Sequence, residues 1–348
     1  MGGNALKTTE TCRLDREQYA RVSQVIAGEF FWAGIDVHVV QSYRMKEDFG
    51  DLDIVVHWTS GGDNLRKFIE HVFKPNEIFS NGNVISFDYQ KFQVDVIYFT
   101  DREIMKFAVG YFAWNDLGNF VGRVARRLNL KFGHDGLWYS LRDPENSSRL
   151  VTELLVTRNF TDALFLLGYN YHVWKQGFDT PEDIYQYVTT SEYFDPAVFV
   201  LNNRNYQARI RNRKRKMYSG LLDWLSEKYG ITDETPLPDD TYQFKQLGVE
   251  LAKEYNPEFA VEHDRLLLEL EINKNYRAKI NGTWARTFFQ KDGKELGGIM
   301  TDINRYVDSF GLRRWIGETP SEVIYPLMKL LVNQGILGSG KEKQSEEA

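Results

Sequence analysis

Apolar and polar positions change period several times along this chain, and the changes mark its elements. Asp15, followed three residues on by Gln18, reads as a capping box, and a helical period carries that helix to about Phe31. The period then drops to two. Residues 35–40 predict a strand, and residues 52–58 a second. In the second, Asp51, Asp53, Val55 and His57 fall on one face and Leu52, Ile54 and Val56 on the other. A helix over residues 63–73 stops at Pro75. Residues 83–88 and 91–99 predict a hairpin turning at Tyr89-Gln90, and residues 115–130 another helix. After Thr180-Pro181, a cap followed by proline in the first helical position, the pattern is mostly helical. Strands interleaved with helices and then helices alone predict an α/β or α+β catalytic module with a helical appendage, and we take α+β as the expectation.

Length adds an expectation of about two domains and a real core for the 348 residues. The single cysteine, Cys12, excludes an internal disulfide and fits a reducing compartment, so a cytoplasmic location is expected, or a nuclear one in a eukaryotic host. No apolar run reaches the roughly 18 residues of a membrane span. Six histidines show no paired zinc spacing, and neither a Walker loop nor a Gly-x-Ser-x-Gly elbow occurs. The net charge of -6 argues at first against a nucleic-acid partner. Yet between Leu201 and Leu221 there are seven bases (Arg204, Arg209, Arg211, Arg213, Lys214, Arg215 and Lys216) and no acid. Residues 118–131 are likewise acid-free and carry Arg123, Arg126, Arg127 and Lys131. Such segments read either as solvated helix faces or as phosphate-tracking surfaces, and the unbroken 204–216 run favours the second.

The loudest chemistry lies in Ser42-Tyr43-Arg44-Met45-Lys46-Glu47-Asp48-Phe49-Gly50-Asp51-Leu52-Asp53. Two carboxylates two residues apart on a strand project together and repel, and a divalent cation held by hard oxygen ligands relieves that. A two-ion site needs a third carboxylate from a neighbouring strand. Asp95, a charge inside the apolar run Phe92-Gln93-Val94-Asp95-Val96-Ile97-Tyr98, supplies it; Asp88, nearer the turn, is the alternative. The structural reading of the same residues is a capped turn and a solubilised strand edge.

The pattern Ser-x-Arg-x-x-x-x-x-Gly-Asp-x-Asp with a later strand aspartate resembles the polymerase-β nucleotidyltransferase superfamily. The resemblance implies a palm in which Asp51, Asp53 and Asp95 hold two Mg2+ ions, with Mn2+ as an alternative. It also implies that Ser42, Arg44, Lys46 and Gly50 meet the phosphates of a nucleoside triphosphate. Gln41 stands where the family has glycine in its phosphate-binding turn. Further on, Tyr111-Phe112, Asp116, Asn119 and Arg123 are similar in spacing to the nucleotide-binding thumb segment of family X DNA polymerases, the Tyr-Phe pair lying beside the incoming sugar and the asparagine near the base. These aromatics read equally as core residues. What precedes is too short for the lyase module of repair polymerases, and Asn281-Gly282 with Gly293-Lys294-Glu295-Leu296-Gly297 resembles the tail of tRNA CCA-adding enzymes.

The expected organisation is a palm at 1–110, a thumb-like subdomain at 111–195, a helical domain at 196–337 and a disordered tail at 338–348. The expected activity is transfer of a nucleoside monophosphate from an NTP or dNTP to the 3′-hydroxyl of DNA or RNA. Arg126, Arg127, Arg209, Arg211, Arg213, Lys214, Arg215 and Lys216 would track the backbone. Transfer to a small molecule or a protein, or an inactive nucleic-acid-binding relative, are the alternatives.

Overall fold

A computed structural model describes residues 5–146 and 148–334 of the chain, and the tail expected at 338–348 lies outside them. The chain divides into two compact units, residues 1–260 and 261–348.

In the first unit, strands β1 (Leu14–Asp15), β2 (Val37–Val39), β3 (Asp48–Phe49), β4 (Asp51–His57), β5 (Ile78–Asn81), β6 (Val84–Tyr89) and β7 (Phe92–Phe99) alternate with helices α1 (Arg16–Trp32) and α2 (Gly62–Phe73). Five of these strands form one mixed sheet in the order β2-β4-β7-β6-β5. The Asp15–Gln18 capping box is present and opens α1. The β6–β7 hairpin turns through Gln90 and Lys91, both at positive φ (53° and 64°), the conformation of a tight turn matched to strand twist. Alternation then sorts the sheet's faces. Leu52, Ile54, Val56, Val94 and Val96 are completely buried against Ile26 and Phe30 of α1 and Leu65 and Ile69 of α2. Each such side chain contributes roughly 1.5–3 kcal/mol of transfer free energy. On the other face Val55 and Ile97 pack on Met105 and Ala108 of a further helix, α3 (Arg102–Phe112).

Helix α3 is capped by Asp101, whose carboxylate accepts from the N–H groups of Glu103 and Ile104. The expected boundary at residue 110 falls inside it. Gly110 packs directly on Phe160, so α3 belongs to the core that follows as much as to the sheet before it. Next come α4 (Leu117–Arg127), the three-stranded sheet β8 (Leu130–Gly133), β9 (Gly136–Arg142) and β10 (Leu150–Thr157), and α5 (Phe160–Leu166), α6 (Tyr171–Gln176) and α7 (Pro181–Val188). The expected helix over 115–130 is thus shorter, because Asn129 adopts φ +57° and turns the chain into β8. Thr180 and Asp183 form a capping box with Pro181 first in the helix. Helices α8 (Tyr206–Arg213), α9 (Lys216–Tyr229) and α10 (Thr241–Tyr255) complete the unit. Val188, Val198, Phe199, Tyr218 and Leu221 share one core, so the chain on either side of residue 195 packs together.

The second unit is helical: α11 (Pro257–Lys279) begins in the first unit and continues into it, and α12 (Gly282–Phe289), α13 (Gly293–Ser309), α14 (Arg313–Glu318) and α15 (Ser321–Asn333) follow. Its core gathers Tyr276, Ile280, Ile303, Val307, Ile316 and Ile324. Asn281 caps α12 and Gly293 opens α13 at φ +57°, so both glycine-bearing motifs sit at helix connections. Among the described residues no helix is long and apolar enough to cross a membrane.

Candidate metal centre

Strands β4 and β7 run parallel as neighbours, in a register that sets Asp53 opposite Asp95 and Asp51 opposite Gln93. Because alternate residues share a face, Asp51, Asp53 and Asp95 converge on one side of the sheet. One carboxylate oxygen from each lies within 4.8 Å of the other two. Asp88, the alternative third ligand, is buried elsewhere and accepts from Asn76 Nδ2 (2.8 Å) and the Glu77 N–H (2.7 Å).

Burial, and then the charges of Asp51 and Asp95, push the Asp53 carboxyl up to about 8; Lys46 opposes the shift. Burial also raises Asp95, against hydrogen bonds from Ser86 and Gln93 that favour its charged form. Lys46 is lowered by its own burial, although Asp51 and Asp53 pull the other way. Its ammonium lies 4.5 Å from the centre of the Phe49 ring, which in turn stacks on Tyr19 at 3.9 Å. Three crowded carboxylates facing one desolvated lysine fit a hard divalent cation: they offer oxygen ligands only, and their mutual repulsion is what an ion would relieve.

The loop leading to Asp51 departs from the expected phosphate-binding turn. No helix follows Ser42; residues 40–47 are irregular up to β3. Several of the loop's backbone donors are already engaged. Tyr43 N–H donates to Asn115 Oδ1 (3.2 Å), Arg44 N–H to the Phe178 carbonyl (2.8 Å) and Met45 N–H to the Asp179 carbonyl (2.9 Å). The Arg44 guanidinium pairs with Asp179 and donates to the Gln176 carbonyl (2.8 Å). Gln41 is not at positive φ, and its carbonyl accepts from Trp114 N–H (2.7 Å). Beside the loop a cavity of about 410 Å³ is lined by Arg16, Tyr19, Ser23, Ser42, Arg44 and Phe49, among others.

The second predicted group is partly assembled. Tyr111 and Phe112 close α3 in an aromatic cluster with His134, which stacks on Phe112 at 6.0 Å and 11°. The Asn119 amide nitrogen is buried with no hydrogen-bond partner among the described residues, so it is not exposed to a base edge as the sequence led one to expect. Asp116 is ion-paired with Arg215. Arg123 donates to the Val198 carbonyl (3.3 and 3.2 Å), and Arg126 to Ser140 Oγ (3.3 Å). Arg127 is inside: its side chain is 8% exposed, pairs with Asp240 and lies 3.7 Å over the Phe244 ring. Residues 193–199 and α10 cover the face of α4 that the sequence leaves looking solvated, so Arg123 and Arg127 serve the fold.

The 204–216 run divides as well. Arg215 holds Asp116, while Arg211, Arg213, Lys214 and Lys216 are exposed and Arg209 is half-buried. The run nonetheless borders the site. Arg211 and Arg215 act electrostatically on the Tyr111 hydroxyl, and Lys216 acts on Asp48, three residues before Asp51. Sequence reasoning missed Tyr19, Ser86 and Gln93. The last was detectable, since residue 93 shares a strand face with residue 95.

No protein-family model matches the chain, and no curated protein matches it significantly.

Proposed function

We propose that this chain is a polymerase-β-like nucleotidyltransferase whose first unit contains the palm, and that it adds a nucleoside monophosphate to a nucleic-acid 3′-hydroxyl. The observation that carries this reading is the Asp51–Asp53 pair on β4 with Asp95 opposite on the parallel neighbour β7. These three residues would hold Mg2+, or Mn2+ in its place. Such ions, when bound, supply Lewis-acid activation of the attacking hydroxyl and neutralise charge on the triphosphate.

The chain's own residues perform the remaining tasks. Lys46 offsets the negative charge of the carboxylate cluster from its position over Phe49. Tyr111, Phe112 and His134 offer apolar faces to a sugar and base. Arg211, Arg213, Lys214 and Lys216 form the exposed positive border along which a phosphate backbone would run. Ser42 stays available from the cavity side, whereas Arg44 is tied to Asp179 and would need to leave it before meeting a phosphate.

The test is incubation with Mg2+, labelled nucleotides and single-stranded or primed DNA and RNA. The wild-type chain should extend a 3′ end, and Asp95→Asn should abolish extension while leaving the fold intact. Full activity in Asp95→Asn would overturn the assignment.

A further inference from the structure

Asp95 is oriented by a residue that is itself oriented from elsewhere. The buried Gln93 carboxamide places Nε2 3.0 and 2.9 Å from the two oxygens of Asp95. Its Oε1 accepts from the Ala5 backbone N–H at 2.9 Å. A carboxylate needs a donor and a backbone N–H needs an acceptor, so the carboxamide satisfies both in one orientation only, and a flip would lose both.

Ala5 belongs to a strap, residues 5–13, that is anchored along its length. The Glu77 carboxylate accepts from the N–H groups of Lys7, Thr8 and Thr9 at 2.7, 2.8 and 2.7 Å. Those charge-assisted bonds hold the Glu77 carboxyl down at about 2. Leu6 is buried between these contacts, and Cys12 N–H donates to the Lys91 carbonyl (2.7 Å). Glu77 is fixed in turn by Asp88, which accepts from its N–H. At the strap's far end Arg13 pairs with Asp48, and β1 pairs with β3, setting Leu14 against Phe49. One segment thus reaches the residue behind Asp95 and, at its other end, the strand just before Asp51.

We propose that Gln93 is a positioning residue for the metal site, and that the 5–13 strap, through the Ala5 N–H, presets Asp95 and so raises the affinity of a site the strap does not touch. The inference rests on the metal reading of the triad. Removing a hydrogen-bond partner of a metal ligand commonly lowers metal affinity by about 10- to 100-fold.

The test titrates Mn2+ alone, without nucleotide, into the full chain by calorimetry, beside thermal melting of the metal-free protein. Ala5→Pro removes the single backbone donor and leaves every side chain near Asp95 in place. It should weaken Mn2+ binding roughly tenfold with little change in metal-free melting. Gln93→Leu should weaken binding at least as much, and Glu77→Ala, which releases the strap without touching Gln93, should move it in the same direction. If Gln93→Leu fails to fold, Ala5→Pro and Glu77→Ala decide. Wild-type affinity in both, whatever happens to melting, would reduce the strap to a stabilising role and overturn the proposal. Asp95→Asn separates the two levels: if wild type binds no Mn2+, or binds it equally well with Asp95→Asn, the metal reading falls and takes this proposal with it.

Discussion

At the scale of single residues, the candidate site is costly to the fold that carries it. Asp53 binds its proton more tightly in the folded chain than in the unfolded one, so its own contribution to the stability of the metal-free protein is fully present in acid and is lost as pH rises from the ordinary carboxylate range through about 8. Asp53→Asn removes the repulsion. It should stabilise the metal-free protein by on the order of 1–3 kcal/mol above about pH 8 and flatten the part of its stability profile that lies between the ordinary carboxylate range and about 8. Urea unfolding in chelator across that range is the check; a variant no more stable than wild type would contradict the electrostatic account. The three aspartates were legible in the sequence because a charge inside an apolar strand needs a reason. Arg127 was not: an arginine on a helix looks the same whether solvent or Asp240 faces it, and only the packing of α10 decides.

At the scale of elements, the corner between α3 and α4 positions the aromatic cluster. Trp114 and Asn115 both sit at positive φ (64° and 61°), a strained choice for tryptophan that the surrounding contacts maintain. A Cβ at Gly118 would meet the Tyr111 carbonyl oxygen at 2.2 Å, a backbone atom with nowhere to move. Gly118→Ala should therefore destabilise the first unit by roughly 2–4 kcal/mol and displace Tyr111. Denaturant unfolding measures the first effect and Tyr fluorescence the second. The capping box at Asp15, the Thr180 cap with its following proline and the β6–β7 hairpin were readable from local chemistry, whereas the reciprocal bond to Asp183 that completes a second capping box was not. The break between α4 and β8 was not, since Asn129 carries no stronger turn signal than many helical asparagines. The continuity of α3 through residue 110 was equally hidden, because the boundary there followed the thumb-like segment that begins at Tyr111, and only the packing of Gly110 on Phe160 shows one helix serving both sides of it.

Across the whole chain, the net charge of -6 gives way to a local pattern. Replacing Arg211, Arg213, Lys214 and Lys216 together by serine should weaken nucleic-acid binding and lower the slope of log affinity against log salt by up to about 3. Arg127→Ala should behave oppositely, costing stability while leaving the salt slope unchanged. Salt-titrated binding of both variants distinguishes a phosphate-tracking border from a buried strut, and equal slopes in wild type and the quadruple variant would remove the border from the mechanism. The seven-base run was visible in the sequence, but its division into exposed bases and the Asp116-bound Arg215 was not.

The parallel pairing of β4 with β7 also suggests an order of folding events, which we offer as a prediction. Asp95 rides on the β6–β7 hairpin, a local structure that can close early, whereas Asp51 and Asp53 reach it only when a strand distant in sequence docks alongside. On the proposed metal reading, the three carboxylates would come together late on the folding path. Magnesium should slow unfolding in stopped-flow measurements and leave the refolding rate nearly unchanged, so that the ion acts as a latch on the finished molecule and not as its nucleus.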